Sequence, residues 1–190
     1  MSGYRQRIWE DVATTLGGLA PLATALDFGS GDGFFAARTS RLVGTVVPVD
    51  VVERKLSEVR PQLYDGRRLP FEDRSFDLAY AVDVLHHCPD PIAALRDMAR
   101  CSRRYLLVKD HICHGPIGKL VLGILDEVGN RRFGIPSPYL YQVDWQWVRV
   151  LESEGWQRLR LAHPMRCHVG PLGIATNRLQ FMGLWERSGA

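Results

Sequence analysis

A glycine-rich segment near the N-terminus carries the residues best suited to hold a small ligand. Asp27 is followed by glycines at every second position, Gly29, Gly31 and Gly33, with Ser30 between the first two. Glycine adopts positive φ readily and lets a ligand approach the backbone with no Cβ in the way. Apolar residues before and after this segment predict a buried strand that leads into a helix, whose free N–H groups would attract a carboxylate or a phosphate. The segment therefore predicts a ligand-binding turn, and an ordinary structural turn is the alternative.

Acidic residues follow the predicted strands at one end of each strand. Asp50, Asp65 and Asp83 stand directly after apolar runs, and Asp110 follows the fifth run with Lys109 between. Because ligands of open parallel sheets bind outside the carboxyl ends of the strands, we expect these side chains to surround one crevice. Asp50 lies 21 positions after Gly29, the spacing expected of a carboxylate that accepts hydrogen bonds from both hydroxyls of a ribose. The other interpretation of Asp50 is a solvated helix cap.

The elements that must position these residues alternate along the chain. Strands are predicted at about 25–28, 45–49, 62–64, 75–82, 104–108, 156–161 and 180–186, and helices at about 4–19, 33–42, 52–59, 89–99, 119–128 and 144–154. This alternation predicts an α/β fold, a seven-stranded, mostly parallel sheet flanked by helices with right-handed crossovers. The length favours a single domain over 1–190.

Composition excludes several classes of protein. The chain is 46% hydrophobic and 24% charged, as ordinary globular proteins are, and its net charge of +3 is spread without a basic stripe for nucleic acid. The longest apolar run, from Leu120 to Leu125, is too short to cross a bilayer. Four dispersed cysteines suit a reducing compartment. We expect a cytoplasmic monomer or homodimer without nucleic-acid binding or stable membrane insertion.

The spacing of the glycine turn resembles the first motif of class I S-adenosylmethionine-dependent methyltransferases. That motif is G-x-G-x-G with an acid two residues before the first glycine, as in 27–33 here. The dinucleotide fingerprint G-x-G-x-x-G is not met, because Phe34 stands at its sixth position and Gly33 comes one residue early. The resemblance implies a Rossmann-like fold in which Asp27 and the turn hold the amino-acid end of the cofactor.

Three further segments resemble the type 11 group of these methyltransferases. The pattern is an acid and a small residue before Leu-Pro-Phe, then Phe-Asp opening a strand, then Leu-His-His shortly before Asp-Pro; it is carried by 65–71, 75–77 and 83–91. The resemblance spans about 25–108, although Cys101-Ser102-Arg103-Arg104 replaces the usual glycine pair before the fifth strand.

This resemblance implies S-adenosylmethionine as the cofactor and S-adenosylhomocysteine as the product. In the group, an acid at the position of Asp65 binds the adenine amine, and the next backbone N–H, here that of Gly66, faces the ring. The residues expected to contact the cofactor are Asp27, Gly29, Ser30, Gly31, Asp50, Val51, Asp65, Gly66 and Asp83.

Methyl transfer from a sulfonium needs mainly alignment of the acceptor, the methyl group and the sulfur. A hydroxyl acceptor also needs a base, and histidine titrates near neutral pH. His86, His87 and His111 stand near strand ends; we select His111 and His87 as catalytic candidates, with Asp110 as a possible orienting residue. For each histidine, a hydrogen-bonded structural role is the alternative.

A metal site is not predicted. His111, Cys113, His114, His163, Cys167 and His168 would be its candidate ligands if they converged, but their spacing matches no closed zinc pattern.

A lid-like insertion is expected at about 111–141, where this family commonly covers the acceptor. Its apolar helix either roofs an apolar acceptor pocket or belongs to the core, and contact with a membrane surface beside Arg131 and Arg132 is a third option. The segments 108–111, 126–130 and 138–141 look like a smaller subset of bacterial methyltransferases.

The sequence therefore predicts a methyltransferase acting on an O, N or C atom of a small-molecule acceptor. A noncatalytic cofactor-binding or regulatory subunit of the same fold is the main alternative, and an NAD-dependent reductase is the second.

Overall fold

A computed structural model describes residues 2–130 and 138–189. The strands are β1 (Thr24–Phe28), β2 (Thr45–Asp50), β3 (Gln62–Leu63), β4 (Phe76–Val82), β5 (Ser102–Cys113), β6 (Gln142–Val143), β7 (Trp156–Ala162) and β8 (Gln180–Arg187). The helices are α1 (Ser2–Gly17), α2 (Phe34–Thr39), α3 (Pro91–Cys101), α4 (Gly115–Asn130), α5 (Gln146–Ser153) and α6 (Gly170–Thr176). Short 3₁₀ turns cover Leu85–His87 and Asn177–Leu179.

The strands form one mixed sheet in the order β3-β2-β1-β4-β5-β8-β7, with the short β6 paired to the end of β5. Pairings from β3 through β5 are parallel, whereas β8 runs antiparallel to both β5 and β7. The expected seven-stranded, mostly parallel α/β sheet is thereby confirmed, with the short β6 as an addition that was not predicted.

Each face of the sheet has its own apolar layer. On one face, Leu95 and Met98 of α3 and Trp147 of α5 pack on the central strands. On the other face, Ile8 and Val12 of α1 pack on residues that alternate with the first set. Strands β1 and β4 are apolar almost throughout because both of their faces are covered.

Local sequence explains why α3 begins where it does. Pro91 occupies the first turn, where a missing N–H costs nothing, and the Asp90 carboxylate accepts hydrogen bonds from the N–H groups of Ile92 and Ala93. This cap places the preceding Leu85–His87 turn directly beyond the end of β4.

Several predicted boundaries were wrong. Strand β5 runs to Cys113 because it continues to pair with β8 as far as His111 and with β6 beyond it, so Asp110 and His111 lie within the strand rather than after it. The predicted helix over 52–59 is absent, since the chain there forms bends and turns. A helix, α6, occupies part of the predicted loop between β7 and β8.

The insertion contains α4, which is longer than the predicted 119–128. Its outer side exposes Ile117, Leu120 and Ile124, whereas Leu122 is buried. Arg131 and Arg132 lie outside the described residues, and the boundary of the insertion and the single-domain division stay predictions.

Candidate cofactor and active site

The glycine turn has a backbone that only glycine adopts without strain at its two central positions. Gly29 has φ 68° and Gly31 has φ 61°. A Cβ on Gly29 would overlap the side chain of Val84 from the end of the neighbouring β4. The N–H groups of Gly29 and Ser30 donate to the carbonyl of Val49, 2.9 and 3.0 Å away, which ties the turn to β2. The turn is therefore held rigidly against two strand ends.

Asp50 ends β2 beside this turn and links it to the next loop. Its Oδ2 accepts a hydrogen bond from the Gly31 N–H at 2.8 Å, and its Oδ1 accepts one from the Val51 N–H at 2.7 Å. Oδ1 also accepts a longer hydrogen bond from the Val52 N–H at 3.3 Å. The carboxylate is only partly buried and has about four acceptor positions, so one remains open on Oδ2 and a second is used only by the long contact with Val52. This geometry suits the two hydroxyls of a ribose.

Asp27 and Ser30 are more enclosed than Asp50. Asp27 is 2% exposed and is paired in register with Tyr80 of β4, and its burial raises the pKa of the carboxyl to about 7. Among the described residues, neither Asp27 Oδ2 nor Ser30 Oγ has a hydrogen-bond partner. Both groups lie in or beside the turn, and their direct contact with a cofactor stays a prediction.

Two arginines that the sequence analysis did not select lie over the turn. The Arg5 guanidinium of α1 forms two hydrogen bonds with the carboxylate of Asp32, at 2.8 and 2.5 Å, and lies 4.0 Å from the ring centre of Phe34. The Arg54 guanidinium would be 3.2 Å from a Cβ on Gly31. The guanidinium of Arg54 therefore lies beside the turn that the sequence analysis expects to hold the amino-acid end of the cofactor.

Asp65 and Gly66 follow β3 on the exposed side of the crevice. Asp65 Oδ1 accepts a hydrogen bond from the Arg67 N–H at 2.9 Å, and Gly66, with φ 76°, approaches the side chain of Val51. Val51 and Leu63 are 55% and 53% exposed although both are apolar. Open apolar surface beside an available carboxylate is the environment that an adenine ring and its amine would need.

Asp83 belongs to a buried charged network at the ends of β4 and β5. The Lys109 ammonium donates to Asp83 Oδ1, to the Tyr4 hydroxyl at 2.7 Å and to Gln180 Oε1 at 2.7 Å. The Tyr4 hydroxyl donates in turn to Asp83 Oδ2 at 2.9 Å. Burial alone would raise the pKa of Asp83, but Lys109 and His111 hold that pKa below its ordinary value.

Asp110 holds a second buried cluster next to the first. Its Oδ2 accepts a hydrogen bond from the Leu85 N–H at 3.0 Å, and its Oδ1 accepts one from the His111 N–H at 2.7 Å. His86 Nδ1 lies 2.5 Å from the same Oδ1, and His111 Nδ1 lies 3.3 Å from it. Asp110 therefore contacts a ring nitrogen of both His86 and His111; it was expected as a possible orienting residue for His111 and His87, and that role stays a prediction.

His87 has a different environment from the other two histidines. Burial, followed by the charge of the neighbouring His86, lowers the pKa of His87 to about 4. Its ring lies 4.0 Å from that of His86. His87 is therefore neutral near pH 7 and binds a proton only weakly.

The predicted metal candidates do not converge as a group of six. His114 lies beside His163, with ring centres 6.1 Å apart, whereas His168 stacks on Tyr4 at 4.6 Å. Within the described parts of the chain, ligand atoms close enough to share an ion come from His86, Asp110 and His111. Both Asp110 oxygens already accept hydrogen bonds there, so this trio forms a hydrogen-bonded cluster.

A small groove opens on the side of the histidine cluster that faces α3 and α5. Its volume is about 150 Å³, and it is lined by Asp90, Pro91, Ile92, Leu140, Tyr141, Gln146 and Trp147. Tyr141 also lies beside the histidines, with its ring centre 5.5 Å from that of His86 and 6.0 Å from that of His111. The groove therefore adjoins the residues that were selected as catalytic candidates.

Residues 26–105 match the protein family described as "Methyltransferase domain", of the type 11 group. Together with the relatives below, this match supports a class I S-adenosylmethionine-dependent methyltransferase. The match covers the glycine turn, the acidic residues Asp50, Asp65 and Asp83 and the Leu-His-His segment, which are the features that first indicated the family.

Curated relatives of the methyltransferase domain are moderately similar. The 27-O-demethylrifamycin SV methyltransferase of Amycolatopsis mediterranei is 27% identical over 169 residues, covering 74% of this chain and 55% of that protein. The UbiE ubiquinone/menaquinone biosynthesis C-methyltransferase of Pseudomonas putida is 31% identical over 116 residues, covering 53% of this chain and 45% of that protein. The chain thus spans about half the length of the curated relatives it matches.

Solved structures agree with the fold. A methyltransferase from Aquifex aeolicus aligns over 94% of this chain and 89% of its own, with TM-score 0.61 and 20% identity. One from Bacillus halodurans covers 95% of this chain and 98% of its own, with TM-score 0.66 and 14% identity. These likenesses support the fold of the methyltransferase domain. No helix in the described ranges 2–130 and 138–189 has the length and apolarity to span a membrane.

The sequence analysis missed part of the methyltransferase domain's charged core. Lys109 was visible as a cation directly after an apolar strand, but the sequence did not show that it would lie within the strand and be buried with partners. Asp126 and Tyr141 had been noted only as parts of the subset pattern. Nothing in the sequence indicated that Tyr4 or Gln180 would reach Lys109.

Proposed function

We propose that this chain binds S-adenosylmethionine and transfers its methyl group to a small-molecule acceptor, with His111 as the base. The single observation that carries the proposal is the placement of Asp50 beside the glycine turn, on the same edge of the sheet as the Asp110 cluster. Asp50 and the glycine turn suit a nucleoside, and the Asp110 cluster contains His111, which can take a proton from the methyl acceptor. When bound, the cofactor supplies a methyl group on a positively charged sulfur.

The chain's own residues divide the cofactor between them in this proposal. Asp50 accepts a hydrogen bond from one ribose hydroxyl at the open position of Oδ2 and from the other at Oδ1, where it replaces the long contact with the Val52 N–H. Asp65 accepts from the adenine amine, with Val51 and Leu63 against the ring. Arg54 and the backbone of the turn receive the carboxylate end, for which a guanidinium is the best-matched side chain.

Among the two predicted bases, the geometry favours His111 over His87. His111 Nδ1 faces the carboxylates of Asp110, at 3.3 Å, and Asp83, at 3.8 Å, so that nitrogen is directed toward two acceptors. The Nε2 atom on the opposite edge of the ring is the position at which His111 would accept a proton from an acceptor. His87, with its pKa near 4, has too little affinity for a proton to serve well as a base.

A small molecule is the acceptor class that suits the site. The groove beside Tyr141 is about 150 Å³, which admits part of a small organic molecule rather than a folded polymer. The names of the relatives from Amycolatopsis and Pseudomonas refer to a rifamycin and to quinones, which are small molecules. From the names of these relatives we extend only the class of acceptor to this chain. A cytoplasmic location and a monomeric or dimeric state are further parts of the proposal, taken from the sequence analysis.

The direct test is transfer of a labelled methyl group from S-adenosylmethionine to small-molecule fractions of a host extract. We expect label in one low-molecular-mass product with the unaltered chain, and a rate lower by about 10²–10⁴-fold with His111→Asn. S-adenosylhomocysteine affinity should be unchanged in that variant, because His111 is not placed against the cofactor. Cofactor binding with no labelled product from any extract would instead support a noncatalytic subunit.

Replacing Asp65 with alanine tests the adenine contact separately. We expect the variant to bind S-adenosylhomocysteine more weakly by about 1–3 kcal/mol, since one hydrogen bond to a charged group is lost. The inosyl analogue lacks the adenine amine, so its affinity should change much less. Equal weakening for both analogues in isothermal titration would contradict the assignment of Asp65 to the amine.

A further inference from the structure

A line of buried polar groups links the end of β5 to helix α4 of the insertion. His86 Nδ1 lies 2.5 Å from Asp110 Oδ1 on β5, and His86 Nε2 lies 3.5 Å from Asp126 Oδ2 on α4. Asp126 Oδ2 also accepts a hydrogen bond from the Tyr141 hydroxyl at 2.5 Å. His86, Asp110 and Asp126 are at most 6% exposed. His86 therefore lies between two enclosed carboxyl groups that belong to different parts of the fold.

The charges of Asp110 and Asp126 can be balanced by His86, which lies between them. Two enclosed carboxylates on opposite sides of one ring require a cation between them, because unpaired buried charges are costly. The Lys109 ammonium is already engaged by Asp83, Tyr4 and Gln180 in the adjacent network. His86 is thus the group whose protonation would place a cation between Asp110 and Asp126.

The surroundings of His86 favour its charged form. Burial by itself would lower the pKa of His86, but Asp110, Asp126 and Asp83 together raise that pKa above its ordinary value. The other titratable rings packed against it are His87, His111 and Tyr141, with ring centres at 4.0, 4.7 and 5.5 Å. His87 stays neutral near pH 7, so it adds no opposing charge there.

We propose that His86 is a positioning residue that docks helix α4 onto the sheet by bridging Asp110 and Asp126 as a cation. His86 binds Asp110 through Nδ1 and attracts Asp126 through Nε2, so α4 is held above the acceptor side of the site while the ring is protonated. That α4 covers the acceptor rests on the proposed function; the docking of α4 itself does not.

The dependence on pH has a defined sign. A histidine whose pKa is raised on folding contributes its full stabilisation below about pH 6.5 and loses it as the pH rises through the raised value. Helix α4 should therefore become less protected as the pH increases from 6 to 9. The same change should be small in α1, which does not contact His86 directly.

Amide hydrogen exchange of the full chain measures this directly, with rates corrected for intrinsic pH dependence. In His86→Asn, the side-chain amide nitrogen takes the place of Nδ1 and can still bind Asp110. No atom takes the place of Nε2, so the contact with Asp126 is lost. We expect exchange in Gly115–Asn130 to be at least tenfold faster than in the unaltered chain at pH 6, with β1 and β4 unchanged. His86→Gln, whose amide reaches the Nε2 position, should lose less protection.

A substitution of Asp126 on α4 tests the same proposal if His86→Asn does not fold. Asp126→Asn removes the charge on α4, and we expect it to produce the same local loss of protection and to abolish its pH dependence. His163→Asn, which alters an exposed histidine on the loop after β7, should leave α4 as it was.

Two results would overturn the proposal. One is exchange in α4 within twofold of the unaltered chain in Asp126→Asn and in a folded His86→Asn at every pH. The other is equal acceleration in α4, β1 and β4, which would make His86 an ordinary core residue. Since no methyl transfer is measured, failure here and failure of the proposed function are distinguishable.

Discussion

Alanine in place of Asp50 should weaken the binding of S-adenosylhomocysteine about 100-fold or more. The carboxylate is expected to accept hydrogen bonds from both ribose hydroxyls, and each bond to a charged acceptor contributes about 1.5–3 kcal/mol. The change also removes the acceptor of the Gly31 and Val51 N–H groups, so the turn is less well organised before the ligand arrives. Isothermal titration at constant ionic strength gives the affinity.

The matched control for Asp50 is the nearby acid Glu53. Its carboxylate is partly exposed and pairs with Arg60 at 3.2 Å, and no cofactor contact is assigned to it. Glu53→Ala should therefore change the affinity by less than about threefold, in keeping with the small contribution of surface ion pairs. An Asp50→Ala variant that remains folded and binds as tightly as the Glu53→Ala control would refute the assignment of Asp50 to the ribose.

Replacing Lys109 with methionine should lower the free energy of unfolding by about 3–5 kcal/mol. The ammonium is fully buried and has three oxygen partners, so its removal leaves the Asp83 carboxylate without its compensating charge. Since a domain of this kind is stable by about 5–15 kcal/mol, the loss would be a large fraction of the total. Urea unfolding followed by circular dichroism measures it.

The pH dependence of that loss identifies its cause. In the unaltered chain the pKa of Asp83 is depressed. Its charge therefore stabilises the fold at pH values above the ordinary pKa of an aspartate, and this stabilisation is lost as the pH falls. In Lys109→Met the same carboxyl is buried without its cation, so protonation relieves the penalty. The difference between the two chains should be largest at pH 7 and smaller near pH 4.

Two further variants show whether the network or mere packing is responsible. Adding Asp83→Asn to Lys109→Met should recover part of the lost stability, as expected of directly coupled residues. Lys119→Met, on the exposed side of α4, should change stability by no more than about 0.5 kcal/mol. A Lys109→Met penalty that does not depend on pH and is not relieved by Asp83→Asn would count against a charge network.

The glycine turn and its contact with Asp50 could be predicted from sequence because their signals are local. The glycines of the turn are required by backbone conformation, and Asp50 follows at a spacing set by one strand-helix-strand unit. Such features depend on residues that are close along the chain or on acidic residues that recur after successive strands. These patterns were sufficient to predict the sheet and the position of Asp50 beside the glycine turn.

The acceptor half was less predictable because its contacts join distant segments. Lys109 meets Tyr4 and Gln180, which are 105 and 71 positions away along the chain. His86 was ranked below His87, since neighbouring histidines have the same apparent chemistry in sequence. Their difference arises only when the 3₁₀ turn directs His86 toward Asp110 and leaves His87 beside it.

The boundary of β5 shows the same limitation. Apolar character ends at Val108, which predicted the end of the strand there. Pairing with β8 and β6 carries the strand through Lys109, Asp110 and His111, because buried partners satisfy their polar side chains. A charged segment can thus be central strand when its charges are matched by residues from elsewhere.

A crystal structure of the chain with S-adenosylhomocysteine tests the central claim most directly. The account predicts the ribose hydroxyls on the Asp50 carboxylate, the adenine beside Asp65, and the amino-acid end over the Gly29–Gly31 turn near Arg54. A nucleoside bound away from the carboxyl ends of β1 and β2, or a crevice filled by this chain's own side chains at saturating ligand, would contradict it.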